Sequence, residues 1–456
     1  MSCPIHPKPL KNKASLLFTF FIKRNSWLNG LFERSYSMKT GKVNLPGLEI
    51  VVANELPLVK NIMVDDVAKY PKNHLLHELL EPLLGDSIFT TNGCTWRKQR
   101  DLLNPAFAHA RVSKVFALMK QSTDDMLKRL DKVEENSRFD MDAEMTFVTA
   151  DIIFRTIMTA KLDADSAQKI TAAFTRFQNQ SLKISMLRMF KIPLIFSYKE
   201  RQRQQAAAEI RGALEKVIRP RYDAVTRGEE TESVDILSSL LLTRDPDTNE
   251  RFSFKEIVDQ VSMLFLAGHE TSASALSWAF YLISEYPEIQ QEAYKEIQTV
   301  IGDREIEAKD IKKLSLITAI FRETLRLYPP VGFMMREAAE EVTLRDKIVK
   351  IGKSVVVSPW LIHRNKDNWD RPHNFEPKRF LEEQKTPLKS KYLPFGMGQR
   401  VCIGASFAMQ EAVLIIATIL QRYRVEAIKG FEPQPVGRLT IRSENGIDVK
   451  LFKRKK

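Results

Sequence analysis

The sequence predicts a mainly helical protein with small β-sheets, of the α+β class. Helical periodicity dominates from about Ala110 to Leu327, and short strand-like stretches lie near residue 50 and in the last quarter of the chain. No internal repeat and no Gly/Ser-rich linker interrupts the 456 residues. We therefore expect a single domain over residues 1–456, in which residues 1–45 form an N-terminal lead segment.

The clearest helix prediction starts at Ser253. Ser253 followed by Glu256 is a capping-box pattern, and Pro287 prevents the helix from continuing. About thirty-two residues at ~1.5 Å each give roughly 48 Å, enough to cross a domain. Apolar residues surround this helix on nearly every side, which predicts that it is buried. Gly268 and Glu270 in its middle cost stability, and such a cost is tolerated at functional sites.

Strands are predicted in three places. LEIVVA, residues 48–53, is a short apolar strand, and residues 342–358 alternate apolar and polar side chains as strands do. Near the C-terminus, LTIRS and IDVKLF flank Glu444-Asn445-Gly446. An Asn-Gly pair between two such runs predicts a β-hairpin.

The formal charge of +13 comes from 70 Lys and Arg against 57 Asp and Glu. A basic surplus can favour nucleic acid, anionic membrane or an acidic protein partner. No basic low-complexity arm is present, and the densest cluster is Lys453 to Lys456, so nucleic-acid binding is not expected. Cys3, Cys94 and Cys402 are far apart and odd in number, which fits a reducing compartment rather than a disulfide framework, and no Cys-x-x-Cys pair indicates zinc.

The longest apolar run near the N-terminus is LLFTFFI, residues 16–22. It is too short to span a bilayer, which takes ~20 residues, and it lacks a signal-peptide cleavage site. Flanking Lys and Arg residues leave peripheral membrane contact open. A surface helix docked on the body is the preferred interpretation, so we expect a cytoplasmic protein with at most peripheral membrane contact.

The stretch FGMGQRVCIG, residues 395–404, places one cysteine among three glycines. A thiolate such as that of Cys402 binds metals but needs help to stay ionised, and the dipole and free N–H groups of a helix that follows at once supply that help. Gly396 and Gly398 allow unusual turns and close approach to a flat ligand. Gly404 lets the following helix pack near that ligand.

Arg400 is suited to pair with a ligand carboxylate, and Phe395 to pack on the ligand or shield the sulfur. A structural cysteine in a glycine-rich turn is the simpler interpretation of a lone cysteine, but six specified positions in ten residues argue against it. The stretch resembles the haem-binding loop F-x-x-G-x-R-x-C-x-G of the cytochrome P-450 superfamily at every position. The resemblance implies that Cys402 is the proximal thiolate ligand of haem b (iron protoporphyrin IX). It also implies the cytochrome P-450 fold, with a long central helix over the haem and this loop beneath it.

The middle of the long helix resembles a second motif of that family, A/G-G-x-D/E-T. By this resemblance Thr271 hydrogen-bonds dioxygen or its water, Glu270 serves proton delivery, and Ala267 and Gly268 leave room for oxygen and substrate. A hydroxyl beside a carboxylate in a buried helix suits a proton relay. The alternative is that Thr271 bonds its own helix carbonyl while Glu270 pairs with a distant base. The family pattern leaves the position of His269 open.

In FRETLRLYPP, Glu323 and Arg326 share one helical face and are able to pair. This context resembles the E-x-x-R helix of the family, and FEPKRF resembles its P-E-R-F element. Arg379 would then complete a structural triad, which supports the fold and takes no part in catalysis. Lys378 stands where glutamate is usual, and we expect this departure to affect only the surface.

WRKQR resembles the W-x-x-x-R of the helix that touches a haem propionate. Trp96 and Arg100, at i and i+4, are then able to reach one carboxylate together. Arg336 lies where the family often places another propionate partner. Taken alone, Trp96 could be an ordinary core residue and Arg100 an ordinary surface residue. Four motifs in the family's order between residues 96 and 404 make a chance resemblance negligible.

The resemblance, which covers the chain from about residue 45 onward, implies a monooxygenase of the soluble bacterial type. It would insert one oxygen atom of O2 into a lipophilic substrate, since a thiolate ligand favours O–O cleavage. The chain ends about fifty residues after Cys402, so we expect no fused reductase. Electrons from NAD(P)H would arrive through a ferredoxin or flavodoxin-type donor with its reductase.

By family position, the residues that would line the substrate pocket are Leu75 to Leu84, Ser181 to Phe196, Phe265 and Val331 to Met334. These stretches are apolar and indicate a fatty acid, a terpenoid or steroid, or an aromatic compound. The residues expected near the docking face for an acidic electron donor are Lys98, Lys391, Gln399 and Arg400. We expect a monomer.

Two alternative functions are open on the same fold. A peroxide-dependent hydroxylase or a hydroperoxide isomerase usually lacks the acid–threonine pair, which Glu270 and Thr271 retain. A haem sensor or carrier without turnover would need neither a proton relay nor an apolar pocket. The monooxygenase is therefore the favoured prediction.

Overall fold

The computed structural model describes residues 3–11, 26–45, 48–108, 115–159, most of 169–181, 198–229, 235–381 and 388–454. The apolar run at 16–22 and residues 182–196 of the predicted pocket segment lie outside the described residues. Within the described part of the chain, no helix is both long and apolar enough to cross a bilayer.

Helices dominate and the strands are short, as predicted. The helices are α1 Leu56–Lys60, α2 His74–Leu84, α3 Gly93–Leu103, α4 Phe116–Leu130, α5 Met141–Met158, α6 Tyr198–Thr226, α7 Ile236–Leu242, α8 Phe254–Glu285, α9 Pro287–Val300, α10 Ala308–Ile311, α11 Ser315–Leu327, α12 Pro359–Ile362, α13 Leu388–Lys391 and α14 Ala405–Arg422. The strands are β1 Thr40–Leu45, β2 Leu48–Ala53, β3 Phe139–Asp140, β4 Met334–Glu337, β5 Val342–Leu344, β6 Lys347–Val349, β7 Ser354–Val357, β8 Tyr423–Ala427, β9 Pro435–Gly437, β10 Ile441–Ser443 and β11 Asp448–Lys453.

The long helix α8 is the centre of the fold. It begins after Ser253, whose side chain accepts from the Glu256 backbone N–H in the predicted capping box, and it runs for 32 residues. Helices α5, α6, α11 and α14 pack around it. The burial expected from its apolar circumference is confirmed, because nearly all of its residues are buried.

The predicted strands at 48–53 and within 342–358 are confirmed. They contribute to a sheet of order β1-β2-β7-β4, in which β2 and β7 pair in parallel, and to the β5–β6 hairpin. A second sheet has the order β3-β11-β8, and β9 pairs with β10. The parallel pair joins the N-terminal strands to the segment that follows α11.

The predicted C-terminal hairpin is wrong. Gly446 has the positive φ of +73° that a tight turn needs, but the strands on its two sides enter different sheets. The carbonyl of Ile441 in β10 accepts hydrogen bonds of 2.8 Å from both Ser274 and Trp278 of α8. These contacts tie β10 to the long helix, while β11 pairs with β8 and β3.

The predicted triad of Glu323, Arg326 and Arg379 is present and buried. Arg326 donates two hydrogen bonds to Glu323, at 2.7 and 2.8 Å, and Arg379 donates a third at 3.0 Å. Lys378 is exposed and pairs with Glu292, so the departure from the family pattern lies at the surface, as expected.

Candidate active site

The loop before α14 is built by glycines at two strained positions. Gly396 and Gly398 have φ of +73° and +71°, in the left-handed region that favours glycine. A Cβ on residue 398 would lie 2.4 Å from the Met63 carbonyl oxygen, so only glycine lets the loop approach that segment. The Cys402 N–H donates to the Phe395 carbonyl at 2.9 Å and closes the loop. Gly404 differs, because it has an ordinary negative φ and caps α14.

Cys402 presents solvent-accessible surface, yet protein surrounds it closely enough that burial raises the pKa of its thiol. The two observations agree if the sulfur faces an internal space. The Gly404 N–H and the Arg100 guanidinium act in the opposite direction and lower that pKa. Arg100 is held beside the loop by a 2.9 Å hydrogen bond to the Val401 carbonyl. A sulfur in this setting is suited to serve as a metal ligand, because metal binding requires the thiolate form and the nearby N–H and guanidinium groups favour it.

One face of α8 is open where the predicted motif lies. From residue 257 to residue 284 every residue is buried except Ala267, Gly268 and Thr271, which share one side of the helix. A Cβ on Gly268 would lie 2.7 Å from Ile153 of α5, so close helix packing also requires this glycine. The helix therefore offers small residues and one hydroxyl at a single accessible patch.

The alternative interpretation of Glu270 and Thr271 required two contacts, a bond from Thr271 to its own helix and a basic partner for Glu270. The structure contains both. The Thr271 hydroxyl donates to the Ala267 carbonyl at 2.7 Å. The Glu270 carboxylate pairs with Arg442 at 2.8 Å and accepts from Thr440 and Gln178 at 2.7 and 3.1 Å. These contacts account for both side chains structurally, and the role of the pair in proton delivery stays a prediction.

Arg442 was not predicted as a site residue, and it controls the charge of Glu270. Its guanidinium outweighs the effect of burial and holds the pKa of Glu270 at about 2. Arg442 also donates to Asp142 and Thr146 of α5, both at 3.0 Å. Glu270 is therefore ionised at neutral pH. The only sequence signal was a charged residue in the predicted strand LTIRS, and nothing in that strand pointed to Glu270.

Four side chains from separate segments form a cationic cluster, which we define as Lys72, Trp96, Arg336 and Arg400. Trp96 and Arg336 are buried, and Lys72 and Arg400 are half-buried. The Lys72 ammonium and the Arg400 guanidinium lie 5.8 and 5.9 Å from the Trp96 ring. The backbones of residues 72 and 336 pair in an isolated antiparallel β-bridge. The structure thus brings together three of the predicted propionate partners and adds Lys72, which no motif indicated. Arg100 hydrogen-bonds Val401 and Asn104 instead, although its charge still acts on Lys72.

The cationic cluster lacks an anion from the protein. Among the described residues, no carboxylate forms an ion pair with Lys72, Arg336 or Arg400, and the Arg400 Nε is buried without a partner. Burial and the neighbouring guanidinium groups lower the pKa of Lys72 to about 6, and burial and Arg400 lower that of Arg336 to about 10. Buried cations require a counter-charge. The two propionates of haem would supply that charge, so the residues of the cluster and of the Cys402 loop fit haem b.

Replacing Lys72 with Met is expected to speed haem loss by about 10- to 100-fold, because one charge-assisted hydrogen bond contributes about 1.5–3 kcal/mol. The rate is measured by transfer of haem to a haem-free globin. Lys69→Met is the matched control, because Lys69 is exposed and pairs with Glu340. Equal rates of haem loss in both variants and the wild type would contradict the assignment of Lys72 to the haem site.

The predicted docking residues are not all available at the surface. The prediction that Lys391 belongs to the docking face is wrong, because Lys391 is buried and its ammonium donates to a backbone carbonyl at 3.1 Å. Arg400 turns inward and donates to the Tyr70 carbonyl. Lys98 and Gln399 are exposed, and Arg97 donates to Gln399 at 3.3 Å. The exposed face beside the haem loop is therefore formed by Arg97, Lys98 and Gln399.

The predicted pocket residues fall into three groups. In α2, Leu80, Leu83 and Leu84 are buried. Phe265 is 3% exposed and packs against His269 and Phe154, so it is a core residue. The stretch 331–334 is half-buried except for Gly332, which is buried. A cleft of about 680 Å³, most of whose lining residues are polar or charged, opens to the surface beside Lys72.

Comparison with known proteins agrees with this site. The chain matches the family model for cytochrome P-450 over residues 29–450. It is 31% identical to cyclooctatin synthase of Streptomyces melanosporofaciens, over 84% of this chain and 82% of the relative. It is 28% identical to the human ultra-long-chain fatty acid omega-hydroxylase, over 89% and 80% of the two chains. It is also 28% identical to the chloroplastic protein LUTEIN DEFICIENT 5 of Arabidopsis thaliana, over 89% and 70%.

The match spans nearly the whole chain, and the family's haem loop, long helix and buried triad are all present in the fold. Members of this family are monooxygenases that carry haem b, use O2 and a lipophilic substrate, and receive electrons from NAD(P)H through a redox partner. This chain belongs to the cytochrome P-450 family.

Proposed function

We propose that this protein oxygenates an unactivated C–H bond of a long lipophilic molecule, with fatty acids as the first substrate class and terpenoids as the second. The observation that carries the oxygenase site is the glycine-built loop that presents Cys402, and the accessible patch of Ala267, Gly268 and Thr271 on α8 supports it. The substrate class is supported by the apolar predicted lining and by relatives whose names refer to fatty acid omega-hydroxylation and cyclooctatin synthesis.

We assign the site residues as follows. Haem b, when bound through Cys402, supplies the oxygen-activating chemistry. Trp96, Lys72, Arg336 and Arg400 hold its carboxylates, and Arg100 supports the thiolate by its charge. The small side chains at 267 and 268 leave space at the reacting centre.

Thr271 is the group that hands protons to the reacting oxygen. The Thr271 hydroxyl donates to the Ala267 carbonyl, and its oxygen keeps lone pairs free to accept a hydrogen bond from water on the open face. To deliver a proton, the hydroxyl turns away from Ala267, gives its own proton to the reacting oxygen and takes one back from that water. Glu270 lies at the adjacent position and is ionised, and its two oxygens accept hydrogen bonds from Thr440, Gln178 and Arg442. Arg442 sets the resting charge of this relay.

Replacing Thr271 with Val removes the hydroxyl and keeps the shape. We expect product formed per NAD(P)H consumed to fall at least tenfold, because positioned proton transfer contributes about 10²–10⁴ in rate. Thr271→Ser keeps the hydroxyl and is the matched control. A Thr271→Val protein with the wild-type ratio of product to NAD(P)H would contradict the role of Thr271.

We propose that the electron donor is a separate acidic ferredoxin or flavodoxin that docks on the face of Arg97, Lys98 and Gln399, and that the protein is a single-domain monomer. Arg97→Gln with Lys98→Gln is expected to slow reduction by the donor several-fold at low salt while leaving substrate affinity unchanged. Lys347→Gln, exposed on the distant β5–β6 hairpin, is the control. Equal reduction rates in all three proteins would place the donor elsewhere.

The substrate proposal is tested by titrating the ferric protein with a lipophilic panel and recording the Soret band. Medium- and long-chain fatty acids come first, then terpenoids, steroids and small aromatics. A saturable shift towards high spin with fatty acids, followed by product analysis, is the expected result. A shift with terpenoids alone would overturn the first choice of substrate, and haem uptake with no product under donor and NAD(P)H would favour the sensor alternative.

A further inference from the structure

We propose that Cys3, His6 and His373 form a second metal site, which binds one Zn²⁺ ion and links the N-terminal segment to the body of the protein. The thiol of Cys3 lies 3.8 Å from the Nδ1 of His6, and one donor atom from each of the three residues lies within 4.8 Å of the other two. Residues 3 and 373 are far apart in sequence, so only the fold assembles this donor set. The proposal is independent of the oxygenase reaction.

The spacing suits zinc. Zinc–sulfur and zinc–nitrogen bonds of about 2.3 and 2.05 Å in a tetrahedron separate the two donors by about 3.6 Å. The distance between Cys3 and His6 is close to that value. The rings of His6 and His373 are stacked with centroids 4.9 Å apart, so His373 must turn about its side-chain bonds to complete the set. A thiolate with two imidazoles is a ligand set that zinc prefers, and water fills the fourth position.

Both halves of the site are held in place by contacts outside it. On the N-terminal side, the Ile5 carbonyl accepts from the Tyr328 hydroxyl, and the backbone of Leu10 bonds Leu31 and Glu33 at 2.8 and 3.0 Å. On the other side, the carbonyls of residues 372 and 374, which flank His373, accept from the buried Arg326. The donors are therefore brought together before a metal arrives, which lowers the entropy cost of binding.

One of the two imidazole donors is free of other hydrogen bonds within the described part of the chain. The Nδ1 of His373 is buried and has no hydrogen-bond partner among the described residues. The Nδ1 of His6 lies 3.1 Å from the Pro4 carbonyl, and zinc would replace that contact. The Arg364 guanidinium lies close enough to Cys3 to act on its charge, and it repels a divalent cation. We therefore expect binding in the micromolar range, weaker than in a closed four-ligand site.

The test uses full-length, haem-loaded protein that has been treated with chelator and then titrated with Zn²⁺ against a competing indicator dye. One equivalent is expected to bind, with affinity at least tenfold weaker in Cys3→Ser and in His6→Gln. Cys94→Ser is the matched control, because Cys94 is also an exposed thiol but lies on α3. His373→Gln tests the third ligand, and the two N-terminal variants keep the test valid if that variant folds poorly.

A second readout is the alkylation rate of each thiol, followed by mass spectrometry of the peptides. Bound Zn²⁺ is expected to slow alkylation of Cys3 at least tenfold and to leave Cys94 unchanged. Equal zinc affinity in wild type, Cys3→Ser and His6→Gln, or a Cys3 alkylation rate that zinc does not change, would overturn the proposal. Neither readout depends on oxygenase activity, so failure here leaves the proposed function untouched.

Discussion

Replacing Cys402 with Ser is expected to abolish oxygenation, with product formation at least a thousandfold below wild type, in a protein that still folds. The thiolate is the ligand that favours O–O cleavage, and a hydroxyl cannot replace it as an anionic donor at neutral pH. The Cys402 N–H still closes the loop on the Phe395 carbonyl, because that contact belongs to the backbone. The measurements are product formation with donor and NAD(P)H, and the absorption spectrum of the ferrous carbon monoxide complex.

The spectrum separates ligation from unfolding. Wild type and Cys94→Ser are expected to show the red-shifted Soret band of thiolate-ligated haem, and Cys402→Ser to lack it while keeping the helical circular dichroism of wild type. Cys94 is an exposed thiol and serves as the control for loss of a cysteine. A Cys402→Ser protein that retains the thiolate spectrum would overturn the assignment of the proximal ligand.

Replacing Glu323 with Gln is expected to lower the free energy of unfolding by about 3–5 kcal/mol. The carboxylate of Glu323 is fully buried and is shared by two guanidinium groups, so its removal leaves Arg326 and Arg379 without their common counter-charge. Arg326 also donates to the carbonyls of residues 363, 372 and 374, so the loss spreads into the loop that precedes the haem-binding segment. The measurement is urea unfolding followed by circular dichroism.

Glu292→Gln is the matched control for removing a carboxylate from an ion pair. Glu292 pairs with Lys378 at 3.0 Å, but both side chains are exposed, and such pairs contribute less than about 1 kcal/mol. If Glu323→Gln lost no more stability than Glu292→Gln, the buried triad would not be a principal support of this fold.

Features carried by short motifs were predictable from the sequence. The capping box at Ser253 and the stop before Pro287 define α8 because both act within one helical turn. The glycines at 396 and 398 were readable because only glycine takes their backbone angles at low cost. Glu323 and Arg326 pair because they are three residues apart on one helix.

Features that join distant segments were decided by the tertiary structure. Glu270 and Arg442 are 172 residues apart, and their pairing sets the charge of the acid in the predicted relay. Lys72 carries no motif, and it joins the cationic cluster only because its segment bridges that of Arg336.

The turn at Asn445-Gly446 was correctly recognised, but the sheets that its flanking strands enter depend on α8 and β8. Local sequence by itself determined the fold class, the glycine loop around Cys402 and the long helix, because each has a physical signature within a few residues. The charge states, the docking face and the set of Cys3, His6 and His373 depend on contacts between distant segments, and these exist only once the core has packed.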